Sequence, residues 1–355
     1  MSDKVLMKGN EAIAEAAIIA GCRHYFGYPI TPQTEIAAYM AKRMPKIGGC
    51  FLQAESEVAA INMVYGVASC GLRVMTSSSS PGISLKGEGL SYLAGADLPS
   101  LVVNVQRGGP GLGGIQPSQS DYFQATKGAA HGDFHMIVLA PASVQEMADL
   151  TVHGFDLADK YRMTSMILAD GTMGQMMEPV SLDLKVGEPI EKPWATTGTK
   201  LERFHNITNS LYLDPEALEK GNFDRYKRYE TIEENEVMYE EYCMEDAEIC
   251  IAAFGIASRV AKNAIDEARK EGIKVGLIRP ITLWPFPKKP FKKAAEKVHT
   301  FISVELSMGQ MIEDVRLATE CRRPVTLVNR AGGMIPNPEQ ILDAIKNANK
   351  NGGAK

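Results

Sequence analysis

Short apolar runs and longer amphipathic stretches take turns along the first half of the chain. Ile13, Ala17 and Ala20 recur on one helical face, between Asn10, which can cap a helix, and Gly21, which can end one. A short strand then leads into Tyr28-Pro29. Thr31-Pro32 is expected to open a helix, with Thr31 at the N-cap and Pro32 in the first helical position. The exchange repeats with a strand over 51–53 and a helix over 57–70, then a strand over 73–76 and a helix over 81–96. Apolar strands over 101–106, 136–140 and 165–169, with a long helix over 143–161, complete the series. Strands that alternate with helices imply a mostly parallel sheet covered on both faces.

The pattern changes after residue 185. Polar turns come first, then a run rich in Tyr, Glu and Arg, whose Glu233, Glu234, Glu236, Glu240 and Glu241 read as a solvated helix face. Residues 186–246 are therefore expected to be a linker that wraps a neighbour. A second α/β unit follows over 247–355. Its buried strand at 249–253 turns through Gly255 into a helix over 258–270, and further strands are expected at 274–278, 300–304 and 325–328. The first of these should break at Arg279-Pro280. The fold class is α/β, with 1–185 and 247–355 as its two units.

Bulk properties narrow the function classes. A length of 355 residues suits two domains, and 45% hydrophobic with 23% charged residues is ordinary for a globular protein. A net charge of −5 gives no reason to expect nucleic acid as a partner. No apolar stretch reaches the roughly 18–20 residues that a membrane helix needs. The start, Met1 to Lys4, lacks a signal-peptide pattern, so a cytoplasmic protein is expected. The six cysteines form neither C-x-x-C pairs nor ferredoxin spacings and read as reduced thiols, so no metal site is expected in this chain.

Three short signatures then carry candidate chemistry: Tyr28 to Pro32, Gln53 to Glu57 and Val105 to Pro110. Each lies where an apolar run ends, and ligands of open α/β sheets bind outside the carboxyl ends of the strands. Together they place the Thr31 hydroxyl, the Glu57 carboxylate and the Arg107 guanidinium on one rim. That set suits an anionic substrate and acid/base work on a cofactor ring. Each residue also has a plainer reading. Glu57 can serve as an acid at a helix N-terminus, Thr31 as an N-cap worth about 1 kcal/mol, and Arg107 as a surface charge. Against the last, the glycines after Arg107 allow a close ligand approach, and a guanidinium grips a carboxylate with two prongs. Gly109, Gly111 and Gly114 fit G-x-G-x-x-G only weakly, because Pro110 intervenes and no apolar helix follows. His131 and His135 read as a turn rather than a metal pair. The serine run 77–80 reads as a helix cap or a partner contact.

Four segments carry a family resemblance: Tyr-Pro-Ile-Thr-Pro at 28–32, Gln-Ala-Glu-Ser-Glu at 53–57, Ser-Ser-Pro-Gly-Ile-Ser-Leu at 79–85 and Arg-Pro-Ile-Thr-Leu-Trp-Pro-Phe-Pro at 279–287. They resemble the alpha subunits of 2-oxoacid:ferredoxin oxidoreductases, most closely the branched-chain type that acts on 2-oxoisovalerate (3-methyl-2-oxobutanoate). The resemblance implies a pyrimidine-binding domain of the thiamine-diphosphate superfamily, followed by a domain like the C-terminal domain of transketolase. It implies coenzyme-A-dependent oxidative decarboxylation of a 2-oxoacid, with electrons passing to ferredoxin. By the same resemblance, Glu57 would hydrogen-bond the aminopyrimidine ring nitrogen of thiamine diphosphate, with Pro29 and Ile30 beside the cofactor. Thr31 and Arg107 would contact the 2-oxoacid. The Gly-Asp-Gly motif that binds diphosphate and magnesium does not occur here. A beta subunit would supply that half, and iron–sulfur clusters would sit on a small ferredoxin-like subunit, with a gamma subunit completing the complex.

The stretch 108–119 resembles the branched-chain type more than the 2-oxoglutarate type, and the resemblance therefore implies 2-oxoisovalerate rather than 2-oxoglutarate, whose distal carboxylate would need a second cation. His131, Lys86 and Lys127 are the candidates for that cation. Other readings are the beta chain of a lipoamide-linked oxoacid dehydrogenase, a non-catalytic scaffold subunit, and a nicotinamide-dependent oxidoreductase using the glycines at 109–114.

Overall fold

The computed structural model describes residues 4–352; Met1 to Asp3, part of the N-terminal stretch read for a signal peptide, lie outside them. Seven strands form the larger sheet. Their spatial order is Thr282–Trp284, Ile137–Leu139, Thr164–Asp170, Ser100–Gln106, Val74–Ser78, His24–Gly27 and Cys50–Gln53. All pairings are parallel except that of Thr282–Trp284 with Ile137–Leu139. The central strands Ser100–Gln106 and Thr164–Asp170 pair over seven residues and are buried along their whole length. Their near-continuous apolar character is what a strand needs when helices cover both faces. Helix Gly9–Ile19 packs against Val144–Tyr161, and Glu57–Ser69 against Ser80–Gly95.

The smaller sheet has the order Val325–Asn329, Thr300–Glu305, Ile249–Ala252, Val275–Pro280, Tyr239–Tyr242, and it is parallel except at the last pairing. A two-stranded antiparallel ribbon joins Lys4–Lys8 to Met177–Ser181.

Three sequence expectations are displaced, one of them the solvated helix face read through Glu240 and Glu241, which instead lie on the strand Tyr239–Tyr242 with Glu240 paired to Lys262 and Arg279. The helix expected to open at Thr31-Pro32 begins at Thr34 and runs to Arg43. The Gln33 N–H donates to the Ile30 carbonyl at 3.2 Å, closing a turn around Thr31 and Pro32, whose peptide bond is cis. That turn uses the residues expected to form the first helical turn, so Thr31 stands outside the helix and is not its cap. The strand expected to break at Arg279-Pro280 instead runs through both, because Glu240 and Tyr239 pair with them from one side. The parallel partner on the other side ends at Ala252 opposite Ile278. Pro280 thus sits where the strand has one neighbour only, a position at which proline is tolerated.

Between the units, the helix Pro215–Asn235 lies against the first one. Arg228 donates to Asp97 at 2.5 Å, and the Tyr161 hydroxyl donates to Glu236 just beyond the helix at 2.6 Å. Besides the edge strand Thr282–Trp284, the two units meet along 119–123. Gln119 donates its backbone N–H to the Leu306 carbonyl at 2.9 Å and its side-chain amide to the Phe254 carbonyl at 2.9 Å. The Tyr122 hydroxyl donates to Asp314 at 2.5 Å. Arg279 spans Glu146 and Glu240 with bonds of 2.7–2.8 Å. No helix among the described residues is long and apolar enough to cross a membrane.

Candidate active site

Glu57 is the first residue of its helix, directly after Ser56, whose hydroxyl caps the turn by accepting from the Ala59 N–H at 3.1 Å. Its carboxylate is only 2% exposed. Ser78, at the carboxyl end of a sheet strand, donates to Oε1 at 2.5 Å, and the Lys86 ammonium, fully buried, contacts Oε2. A buried carboxylate without such partners would cost several kcal/mol. Gly82 makes the approach possible: a Cβ there would stand 2.4 Å from Glu57 Oε1 and 2.0 Å from Ser78 Oγ. Burial pushes the Lys86 ammonium down to about 7, and contact with the Glu57 carboxylate works in the opposite sense.

Arg107 follows the strand Ser100–Gln106 and is 7% exposed. Its Nη1 donates to the Thr31 carbonyl at 3.0 Å and its Nη2 to the Leu112 carbonyl at 3.2 Å. Its Nε is buried and has no partner. The backbone N–H of Arg107 donates to Ser80 Oγ at 3.1 Å, and Ser80 in turn donates to Asp121 at 2.6 Å. Burial raises the Asp121 carboxyl above its ordinary value, while the Ser80 and Asn104 bonds oppose the rise. Against this loop lies a cavity of about 610 Å³ lined by Ser80, Ser84, Gly109, Asp121, Met308 and Gln310.

Glu57 and Arg107 therefore meet the two ends of one junction. Ser78 closes the strand and holds Glu57, and Ser80 opens the next helix and holds Arg107. Thr31 joins through its carbonyl, with its own side chain exposed. Pro29 is exposed and Ile30 half-buried, on the loop that Gln33 ties down by donating to the Tyr28 carbonyl at 3.3 Å.

Sequence reasoning weighed Lys86 only as a cation for a distal carboxylate, and it missed Asp121. The serine run was the available signal, but its role differs from a cap. Ser79, at the N-cap position, makes no capping bond, whereas Ser77, Ser78 and Ser80 donate to Gln33, Glu57 and Asp121. The other candidate cations are engaged elsewhere, Lys127 with Asp314 and His131 with Ser91 at 3.5 Å. His135 stacks on Trp284 with ring centres 4.7 Å apart. The glycines at 109–114 belong to a loop, and the next helix starts at Tyr122. Among the described residues no group of three or more His, Cys, Asp or Glu is placed to hold a metal ion. All six cysteines are free.

Comparison with known proteins places this geometry. The family model described as the thiamine-diphosphate-binding domain of pyruvate flavodoxin/ferredoxin oxidoreductase matches residues 15–246, and that of pyruvate:ferredoxin oxidoreductase core domain II matches 247–341. The chain is 54% identical over 342 residues to the ketoisovalerate oxidoreductase subunit VorB of Methanothermobacter marburgensis, covering 96% of this chain and 97% of that one. It is 36% identical over 384 residues to the 2-oxoglutarate synthase subunit KorA of Methanothermobacter thermautotrophicus, covering 99% of this chain and 100% of the other. Among solved structures, the 2-oxoglutarate:ferredoxin oxidoreductase of Magnetococcus marinus, with 2-oxoglutarate, coenzyme A and succinyl-CoA bound, superposes with a TM-score of 0.86 at 28% identity. The match covers 98% of this chain and 65% of that longer one. A split-gene transketolase at 13% identity and a TM-score of 0.60 shares the fold.

Proposed function

The chain belongs to the pyruvate flavodoxin/ferredoxin oxidoreductase family, and we propose that it is the alpha subunit of a complex that oxidatively decarboxylates 2-oxoisovalerate in a coenzyme-A-dependent reaction, with ferredoxin as electron acceptor. The observation that carries the substrate is the 54% identity to a ketoisovalerate oxidoreductase subunit, against 36% for a 2-oxoglutarate synthase subunit. Local chemistry supports it. Residues 108–119 contain no cation, and Lys86, Lys127 and His131, the cations weighed for a distal carboxylate, all have other partners.

The residues present fit the pyrimidine half of thiamine diphosphate. Glu57 offers a buried carboxylate, held by Ser78 and Lys86, that can accept from a ring nitrogen and hold a proton there. Pro29 and Ile30 stand on the loop beside the same rim. When bound, the cofactor supplies the electron sink for decarboxylation. Arg107, with its unpartnered Nε, would hold the substrate carboxylate, and Thr31, tied to Arg107 through its carbonyl, would flank it. That charge must bind the carboxylate no more strongly in the ground state than in the transition state.

The diphosphate and magnesium half, the iron–sulfur clusters and the gamma subunit are assigned to partner chains in the cytoplasm. The exposed Leu201, Phe204 and Leu213 within 186–246 suit contact with a neighbour. The units 1–185 and 247–355 are assigned as the pyrimidine-binding and transketolase C-terminal-like domains. A panel of 2-oxoacids on the complex co-purified with its partners, reading coenzyme-A-dependent reduction of a viologen dye, tests the proposal. Preference for 2-oxoisovalerate is expected. Preference for 2-oxoglutarate overturns the substrate, and no activity with any 2-oxoacid points to a scaffold.

A further inference from the structure

Lys86 enters the reading above only as a contact of Glu57, yet it is among the largest fully buried side chains in the protein. It projects from the helix Ser80–Gly95, and its one ionic partner among the described residues is Glu57. Buried ion pairs are a weak source of stability, and an apolar pair of similar volume usually holds two helices as well. A lysine at such a place is set to act on its partner. The other donor to Glu57 is a single hydroxyl, that of Ser78, so the buried carboxylate has one neutral donor besides the ammonium.

We propose that Lys86 is a positioning residue for Glu57: its ammonium keeps the buried carboxylate ionised and fixed in place, so that it meets the cofactor ring as an acceptor. This rests on the reading of Glu57 as the ring's partner. The charged groups on the surrounding elements are otherwise engaged. Arg107 and Asp121 are tied through Ser80, Glu88 accepts from Tyr92 on the outer side of the helix, and His131 lies by Ser91. None of them pairs with Glu57 or Lys86. Without the ammonium, the carboxylate takes up a proton at higher pH and then presents an O–H in place of an acceptor.

The test uses Lys86→Met, which preserves length and bulk, Lys86→Arg as the conservative variant, and Lys86→Met combined with Glu57→Gln. In the complex with its partner chains, Lys86→Met should move the acid limb of the kcat/KM pH profile up by about one unit or more, and Lys86→Arg should restore it in part. In the full chain without cofactor, thermal unfolding between pH 5 and 6, below the range in which Lys86 itself titrates, supplies a second readout. The folded Lys86→Met form holds a proton on Glu57 that the unfolded form releases. Its melting temperature should therefore fall relative to wild type as pH rises, and adding Glu57→Gln should abolish that fall. An unchanged pH profile together with a melting difference that does not vary with pH would overturn the proposal. If the melts follow the expected course but the complex oxidises no 2-oxoacid, the hold on Glu57 stands and the assigned reaction falls.

Discussion

Arg107 uses two N–H groups on the carbonyls of Thr31 and Leu112 and keeps Nε without a partner. One charged hydrogen bond is worth about 1.5–3 kcal/mol. Arg107→Ala should therefore raise KM for the 2-oxoacid by about 10- to 100-fold and leave thiamine-diphosphate affinity near wild type. Steady-state kinetics with a parallel cofactor titration check this, and equal loss of cofactor binding without a substrate effect would contradict the role. Glu57→Gln should lower turnover by about 10²- to 10⁴-fold, while size-exclusion chromatography shows normal assembly.

Asp170 makes a separate prediction. It is wholly buried at a strand end, and burial raises it to about 6 despite bonds from the Thr172 and Met173 N–H groups. The folded form thus holds more protons than the unfolded form between pH 4 and 6. Stability from this group is present below the unfolded value and lost as pH rises through about 6, by about 3 kcal/mol at most. Denaturant unfolding of Asp170→Asn across that range should show a flatter profile than wild type.

At the scale of elements, the helix Ser80–Gly95 can lie close to Glu57 because Gly82 has no side chain. Gly82→Ala forces a Cβ into the Glu57–Ser78 hydrogen bond, so it should destabilise by about 1–3 kcal/mol and weaken cofactor binding. Urea denaturation and cofactor titration measure the two effects; wild-type values for both would show that the junction can yield.

Much of the architecture was legible because the central strands are apolar on both faces and the helices between them have clear ends, such as Ser143 and Ser56. The turn at Thr31-Pro32 misled because proline suits a helix start as well as a tight turn, and a neighbour distant in sequence, Arg107, grips the Thr31 carbonyl. The Lys86–Glu57 contact was hidden for a related reason. The partners stand 29 positions apart, and a buried lysine looks in sequence like any surface one. The edge strand Thr282–Trp284 gave no local signal, being short and paired with a strand far back in the chain.

For the whole molecule, the proposed function makes the site one half of a machine. In that proposal Glu57, Thr31 and Arg107 would address a ring and a small anion, while the chain has no Gly-Asp-Gly for a diphosphate. The isolated chain should show no 2-oxoacid oxidation above background, measured with viologen dye in the presence of thiamine diphosphate, magnesium and coenzyme A. Activity should appear on adding the partner chains, and robust turnover by the chain alone would sink the division of labour.

The edge strand also bears on the order of events at the ribosome. Ile137–Leu139 is wholly buried and takes Thr282–Trp284 as its outer neighbour. Translation at roughly 5–20 residues per second leaves about 7–30 s between the emergence of the two. For that interval a bare apolar ladder faces solvent, the kind of surface on which nascent chains stick to one another. A chain stalled or truncated before residue 282 should therefore be lost to aggregation or proteolysis, so quality control would act on this protein late in its synthesis.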